Sequence, residues 1–405
     1  MKKRFLVFFL ILCLLLPSFT VFAEDSTEQF SSHFTYYDSI PTMLIGDLSS
    51  DHVLLEKNAD QVRPIASMSK MVTYYVVKDA ITKGQFSLHD RVLISSNAAQ
   101  WNRPDSSNFG LKSGENYSID ELLTGLMVVS GNDCAVALAE KISGSEEEFA
   151  NLMKSKMDEL GFTSSTFINA SGFTENGMKN SMSAKDLYAF TRLLVKVYPE
   201  VLDYTRFSIL DDPKRNYRGE STISKSMQPI DGLLGLKTGF TDEAGYCFTG
   251  VFDLHALNPD QELKVITIVM GAPSNDARYR TTKEMVEFSA GTFQKKLIID
   301  SSLPFQKYEV DGANEEAVIL YPEESFSAIT YINKDYHCVF ELKEGIVAPT
   351  VVNQVFGLIK VYKDEELVKE INLISHKETT KMDDWKRLQN LFEDQISFLL
   401  SIVQN

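Results

Sequence analysis

The sequence predicts an α+β protein in three parts: a large domain that combines an antiparallel sheet with helices, a small all-β domain, and a C-terminal amphipathic helix. Three observations predict this. From Ser67 to Val197 apolar residues recur mainly at helical spacing, whereas from Leu233 they gather into short runs suited to neighbouring strands. Beyond Pro304 the pattern becomes one of alternating strand-like segments. The last 30 residues return to helical spacing with one apolar face.

The chain opens on the basic Met1-Lys2-Lys3-Arg4, an apolar run from Phe5 to Leu16, and the small-residue ending Val21-Phe22-Ala23. Residues 1–23 therefore read as a secretory signal, the apolar run being shorter than the roughly 20 residues of a membrane span. The protein is expected to be exported, to the outer face of the cytoplasmic membrane or the cell wall compartment. Residues 24–303 form the large domain. It begins with a hairpin over 35–60, in which Met43-Leu44-Ile45 and Val53-Leu54-Leu55 flank the turn Ser49-Ser50-Asp51. Helices follow from Ser67 to about Lys83 and over 119–128, 132–143, 146–160 and 184–197. Tyr246–Val251 and Leu263–Met270 are strands, and a helix from about Asp276 to Phe293 closes the domain.

The β domain, 304–375, carries strands at Ala317–Tyr321, Phe326–Ile332, His337–Leu342 and Gly357–Tyr362. In the final segment, 376–405, Trp385, Leu388, Leu391, Phe392, Ile396, Leu399 and Val403 share a face. That face is interrupted too often by charge to span a bilayer, but it suits a membrane surface.

Composition excludes several functions. Loss of the signal removes three basic residues and takes the formal charge from −16 to −19, which opposes nucleic-acid binding. Cys134, Cys247 and Cys338, the cysteines outside the signal, are odd in number and far apart, so no disulfide framework is implied; their apolar neighbours predict buried free thiols. The six histidines (33, 52, 89, 255, 337, 376) form no pair at ligand spacing, so no metal or other cofactor is expected. A Gly-x-Ser-x-Gly elbow is absent.

Three short motifs carry chemistry. In Ser67-Met68-Ser69-Lys70, serine and lysine three apart at a helix start face the same way, placing a nucleophile beside a base whose pKa burial or a neighbouring cation can lower. In Ser130-Gly131-Asn132 the hydroxyl can pass a proton and the amide can hold a peptide carbonyl. In Lys237-Thr238-Gly239, Lys237 and Thr238 can bind a carboxylate while Gly239 lets substrate approach the strand closely. A cation at Lys237 would also depress the pKa of Lys70. Singly each motif is commonplace; their order, about 60 and about 107 residues apart, is distinctive. Lys112-Ser113-Gly114 and Ser106-Ser107-Asn108 imitate the third and second motifs in the wrong order or context.

With their flanks, Pro64–Lys70, Val129–Asp133, Asn169-Ala170-Ser171-Gly172 and Leu236–Thr241 with Ala244-Gly245-Tyr246, these motifs resemble the D-alanyl-D-alanine carboxypeptidases, the low-molecular-weight penicillin-binding proteins, over roughly residues 35–375. The resemblance implies a β-lactamase/transpeptidase-like catalytic domain, peptidoglycan stem peptide as substrate, and β-lactam inhibitors. It implies Ser67 as nucleophile, Lys70 as base and Ser130 as proton relay. Asn132 would orient substrate. The N–H groups of Ser67 and Phe240 would hold the oxyanion, and Arg278 would assist Lys237 and Thr238. Met68-Ser69 stands where Thr-Thr is frequent, and Phe240 where histidine is often found. A class A β-lactamase would need a glutamate for deacylation; Glu147 to Asn151 spells Glu-x-x-x-Asn, but in an apparent surface helix. A transpeptidase, an endopeptidase or a catalytically silent wall-binding scaffold are the other readings.

Overall fold

The computed structural model describes residues 33–403 other than 206, 228, 316, 333–335 and 364. The expected signal, residues 1–23, lies outside them. Strands β1 (Thr42–Asp47) and β2 (Val53–Lys57) form the predicted hairpin, with Ile45 opposite Leu55. Its turn is held by the buried Asp47 carboxylate, which accepts from the hydroxyls of Ser49 and Ser50.

The helices follow: α1 (Ser69–Thr82), α2 (Ile119–Val128), α3 (Asn132–Ser143), α4 (Glu146–Glu159) and α5 (Ala184–Val197). Capping fixes their starts. Ser118 and Glu121 make a reciprocal capping box on α2, and Ser145 and Ser183 cap α4 and α5. Helix α1 is enclosed on all sides, burying Met71, Val72, Tyr74, Val76 and Val77. Each such side chain contributes about 1.5–3 kcal/mol, so the N-terminus of α1 is firmly anchored.

Strands β3 (Leu233–Thr241), β4 (Gly245–Asp253) and β5 (Lys264–Ala272) complete an antiparallel sheet of order β2-β1-β5-β4-β3. Helix α6 (Asn275–Thr292), capped by Ser274, packs on β5 and runs directly into β6 (Phe293–Ile299). The main core divides into two clusters, one around α1, α2 and α3 and one around β1, β5 and α6.

The C-terminal β region adds β7 (Gln306–Tyr308), β8 (Val318–Pro322), β9 (Phe326–Tyr331), β10 (Tyr336–Leu342), β11 (Val355–Lys363) and β12 (Glu366–Ser375). Five of these form a sheet of order β7-β8-β12-β11-β10, while β9 pairs with β6. Strand pairing thus begins at Phe293, ahead of the residue 304 expected. The sequence reading also missed β12, a strand central to the sheet, whose first half, Glu366 to Glu370, is charged and mostly exposed and breaks the alternation. Helix α7 (Asp384–Val403) ends the described chain, with Trp385, Leu388, Phe392 and Ile396 exposed.

One expectation is corrected: Cys134 and Cys247 are buried, but Cys338 is exposed. It lies on the edge strand β10, where residues 337–341 are exposed on both faces, so apolar neighbours in sequence do not enclose it.

Candidate active site

Ser67 sits in a 3-10 turn, Ala66–Met68, immediately before α1. Ala66 adopts φ +46°, a conformation costly for a non-glycine residue, and turns Ser67 into a cleft of roughly 460 Å³. Lys70, one helical turn on, is fully buried. Its Nζ lies 2.9 Å from Ser67 Oγ and donates to Asn132 Oδ1 at 2.6 Å and to the Ser171 carbonyl at 2.8 Å. Burial lowers its pKa to about 7, against an opposing pull from the Asp133 carboxylate. A neutral amine has two N–H donors and one lone pair. The two carbonyl oxygens can only accept, so they occupy both donors and leave the lone pair for the Ser67 hydroxyl proton.

Ser130 and Asn132 are brought to the cleft by the turn between α2 and α3, where Ser130 takes φ +61°. Asp133 anchors that turn. Fully buried, its carboxylate accepts from the N–H groups of Phe109, Leu111 and Cys134 at 2.9–3.0 Å, tying the preceding loop to α3. From that loop Ser106 Oγ accepts from Asn132 Nδ2 at 2.9 Å. With one amide group engaged at each end, Asn132 has a fixed orientation.

The third motif lies on β3. Lys237, also fully buried, donates to Ser130 Oγ at 2.9 Å and to the Thr238 carbonyl at 3.0 Å. Burial above all, then repulsion from Lys70 and Arg278, pushes its pKa well below the ordinary lysine value. Burial is thus the leading cause of the low pKa at both lysines, ahead of the repulsion between them that the sequence suggested. Gly239 explains why β3 can run against the nucleophile turn, since a β-carbon there would lie 2.9 Å from the Ile65 carbonyl and 3.2 Å from Ser67 N. Thr238, Gly239 and Phe240 all line the cleft. The Phe240 side chain is half exposed and lies on Tyr246, ring centroids 4.3 Å apart.

Arg278 reaches the same cleft from the first turn of α6. It is 3% exposed, donates to the carbonyls of Cys247 at 3.0 Å and Gly239 at 3.4 Å, and is held by the Asn275 side-chain oxygen. Burial lowers its pKa to about 10. All nine sequence-predicted site residues therefore converge.

Three contributors were not foreseen: the Ser171 carbonyl, Ser106 and Asn275. Ser106 belongs to a tripeptide set aside as a false second motif. The signal for Ser171 was present in Asn169-Ala170-Ser171-Gly172, whose turn chemistry needs a glycine at φ +79°. Glu147 and Asn151, the β-lactamase-like pair, line no part of the cleft.

Residues 37–274 match the D-alanyl-D-alanine carboxypeptidase family, and residues 293–381 match the penicillin-binding protein 5 C-terminal domain. Among curated relatives, the chain is 29% identical over 358 residues to D-alanyl-D-alanine carboxypeptidase DacF of Bacillus subtilis, covering 83% of this chain and 87% of that one. It is 28% identical over 337 residues to DacA of Escherichia coli K12, covering 81% and 80%. Among solved structures, penicillin-binding protein 5 of Haemophilus influenzae superposes with a TM-score of 0.67 at 24% identity, covering 85% of this chain and 98% of that one. Penicillin-binding protein D2 of Listeria monocytogenes, in its ampicillin-bound form, superposes with a TM-score of 0.53 at 30% identity, covering 62% and 98%.

Proposed function

The chain belongs to the D-alanyl-D-alanine carboxypeptidase family, whose members are serine-type hydrolases, and on that premise we propose that it removes the terminal D-alanine of peptidoglycan stem pentapeptides through an acyl-enzyme on Ser67. The observation that carries this reading is the Lys70 amine, with both N–H donors committed to carbonyls, its remaining side toward Ser67 Oγ, and a pKa near neutrality.

Ser67 Oγ attacks the carbonyl carbon of the penultimate D-alanine while its proton passes to Lys70. The N–H groups of Ser67 and Phe240 receive the negative oxygen. Ser130, hydrogen-bonded to Lys237, delivers a proton to the leaving nitrogen as the C–N bond breaks and D-alanine departs. Water then hydrolyses the ester, the proton again passing through Lys70. Asn132 aligns the peptide, and Lys237, Thr238 and Arg278 receive the terminal carboxylate. That carboxylate brings an anion to Lys237 and favours its charged form.

β-Lactams, whose strained amide offers the same carbonyl and carboxylate, acylate Ser67 and leave slowly. The ampicillin-bound Listeria relative supports this. Membership of a bacterial cell-wall family supports a reaction outside the cytoplasm. Among the described residues no helix is long and apolar enough to cross a membrane; the exposed apolar residues of α7 support attachment to the membrane surface.

The test is release of D-alanine from a pentapeptide ending in D-Ala-D-Ala, by wild type and by Ser67→Ala. Release by wild type alone is expected. Intact penicillin labelling with no release would replace hydrolysis by transpeptidation, and no labelling at all would leave the scaffold reading.

A further inference from the structure

Among the titratable groups that this scheme does not use, the half-buried Glu146 meets the base through a traceable chain of contacts. It is the first residue of α4, and its carboxylate accepts the Ala170 N–H at 3.2 Å. That N–H is at the centre of the Asn169–Gly172 turn. The next carbonyl, Ser171, is an acceptor of Lys70, and the Ala170 carbonyl accepts from Thr73 of α1 at 2.6 Å. At the far end Gly172 N–H donates to Asn169 Oδ1 at 2.8 Å. The turn is therefore pinned between α1, which carries the base, and α4, which carries Glu146.

We propose that Glu146 is a positioning residue for the general base: it fixes the Asn169–Gly172 turn so that the Ser171 carbonyl is presented to Lys70, and its negative charge adds to the field around that amine. The inference rests on the reading of Lys70 as base. The electrostatics agree with the geometry. Burial, with repulsion from Glu175 and from Glu140 on α3, raises the Glu146 pKa to about 7, so this carboxylate changes charge in the range where Lys70 does. Lys70 itself faces Asp133 and Cys134 from α3 as well as Glu146, and lies in the field felt by Lys237 on β3. Two groups that influence one another at similar pH titrate as a pair.

Glutamine at 146 keeps the acceptor oxygen and removes the charge; alanine removes both. The experiment measures acylation by a fluorescent penicillin from pH 5 to 9 for wild type, Glu146→Gln and Glu146→Ala, with thermal unfolding alongside. Glu146→Gln is expected to stay within about threefold of wild type at pH 8 and to acylate about twofold or more faster near pH 7, where wild-type Glu146 is partly ionised while Lys70 is still partly protonated, so that loss of the anion favours neutral Lys70. Glu146→Ala is expected to lose about tenfold or more at pH 8. The proposal is overturned if Glu146→Ala acylates within threefold of wild type. It is equally overturned if both variants slow alike with the acid limb unmoved, which is what a purely structural carboxylate would give. Should Glu146→Ala fail to fold, the limb of Glu146→Gln decides: displaced to lower pH it supports the proposal, unmoved it defeats it. Labelling of wild type and its absence in Ser67→Ala test the underlying reading separately.

Discussion

Gly172→Ala is the substitution that most directly tests whether the Asn169–Gly172 turn sets the catalytic geometry. Gly172 has φ +79°, and a β-carbon there would lie 1.9 Å from the Ala66 carbonyl oxygen, 2.5 Å from its carbon and 2.7 Å from Ser69 Oγ. A carbon–oxygen contact normally exceeds about 3.2 Å, so the turn and the Ala66–Met68 segment must part by more than about 1 Å. Both sides of that gap belong to the site: Ala66 precedes the nucleophile, and Ser171, beside Gly172, holds the base. The left-handed backbone alone costs about 1–2 kcal/mol of stability. Misplacing reacting groups by about 1 Å costs about 10²-fold in rate, or about 2.7 kcal/mol of barrier. The assay is the second-order rate of acylation by a fluorescent penicillin, with Tm measured in parallel. Gly84→Ala is the control, because Gly84 has a similar φ of +72° and a β-carbon there would meet nothing within 4 Å. It should lower Tm and leave acylation unchanged. Acylation by Gly172→Ala within threefold of wild type would refute the reasoning.

Three further outcomes follow from the site and the tail. Acylation by a β-lactam should rise with pH through about 7, because burial lowers the Lys70 pKa to about that value and only the neutral amine accepts the serine proton; a rise centred near the ordinary lysine value of about 10.4 would refute the lowering of the Lys70 pKa by burial. Arg278→Gln should lower kcat/KM for the pentapeptide about 10- to 10²-fold, mostly through KM, since it removes a charged donor beside Thr238 worth about 1.5–3 kcal/mol; an unchanged KM in steady-state kinetics would remove Arg278 from carboxylate binding. Deleting residues 383–405 should abolish sedimentation with phosphatidylglycerol vesicles while leaving D-alanine release from soluble pentapeptide within twofold. The cut spares Met382 N–H and Thr380, which are tied to Gly312 and Asn314 of the β region; retained vesicle binding would place the membrane contact elsewhere.

Eight of the nine candidate site residues were legible because each lies in or beside a short motif whose local structure follows from neighbouring residues: a serine and lysine one helical turn apart, a turn before a helix, a glycine in a strand; Arg278 came from the family resemblance alone. What escaped were groups that act through the backbone or arrive by long-range packing. Ser171 is 101 positions from Lys70 and contributes a carbonyl, which no residue type announces. Glu146 reads as one of three acidic residues opening a helix, where negative charge is ordinarily explained by the helix dipole. The expected burial of Cys338 failed for the opposite reason: strand β10 forms as predicted and its residues look like core, but its place at a sheet edge, with both faces exposed, is decided by topology.

Burial also explains why the motifs had to be assembled in this way. Lys70 and Lys237 are fully buried, and their hydrogen-bond partners are hydroxyl and carbonyl oxygens rather than carboxylates. A buried ammonium without an anionic partner is costly, and the low-cost resolution is to release the proton. For Lys70 that resolution prepares the base. On the proposed function, a substrate carboxylate arriving at Lys237 would favour its charged form, so recognition of a free C-terminus would be coupled to the charge state of the group next to Ser130. A peptide lacking that carboxylate would bring no anion to favour the charged form of Lys237 beside Ser130. Selectivity for a terminal residue then follows from the same desolvation that makes Ser67 reactive.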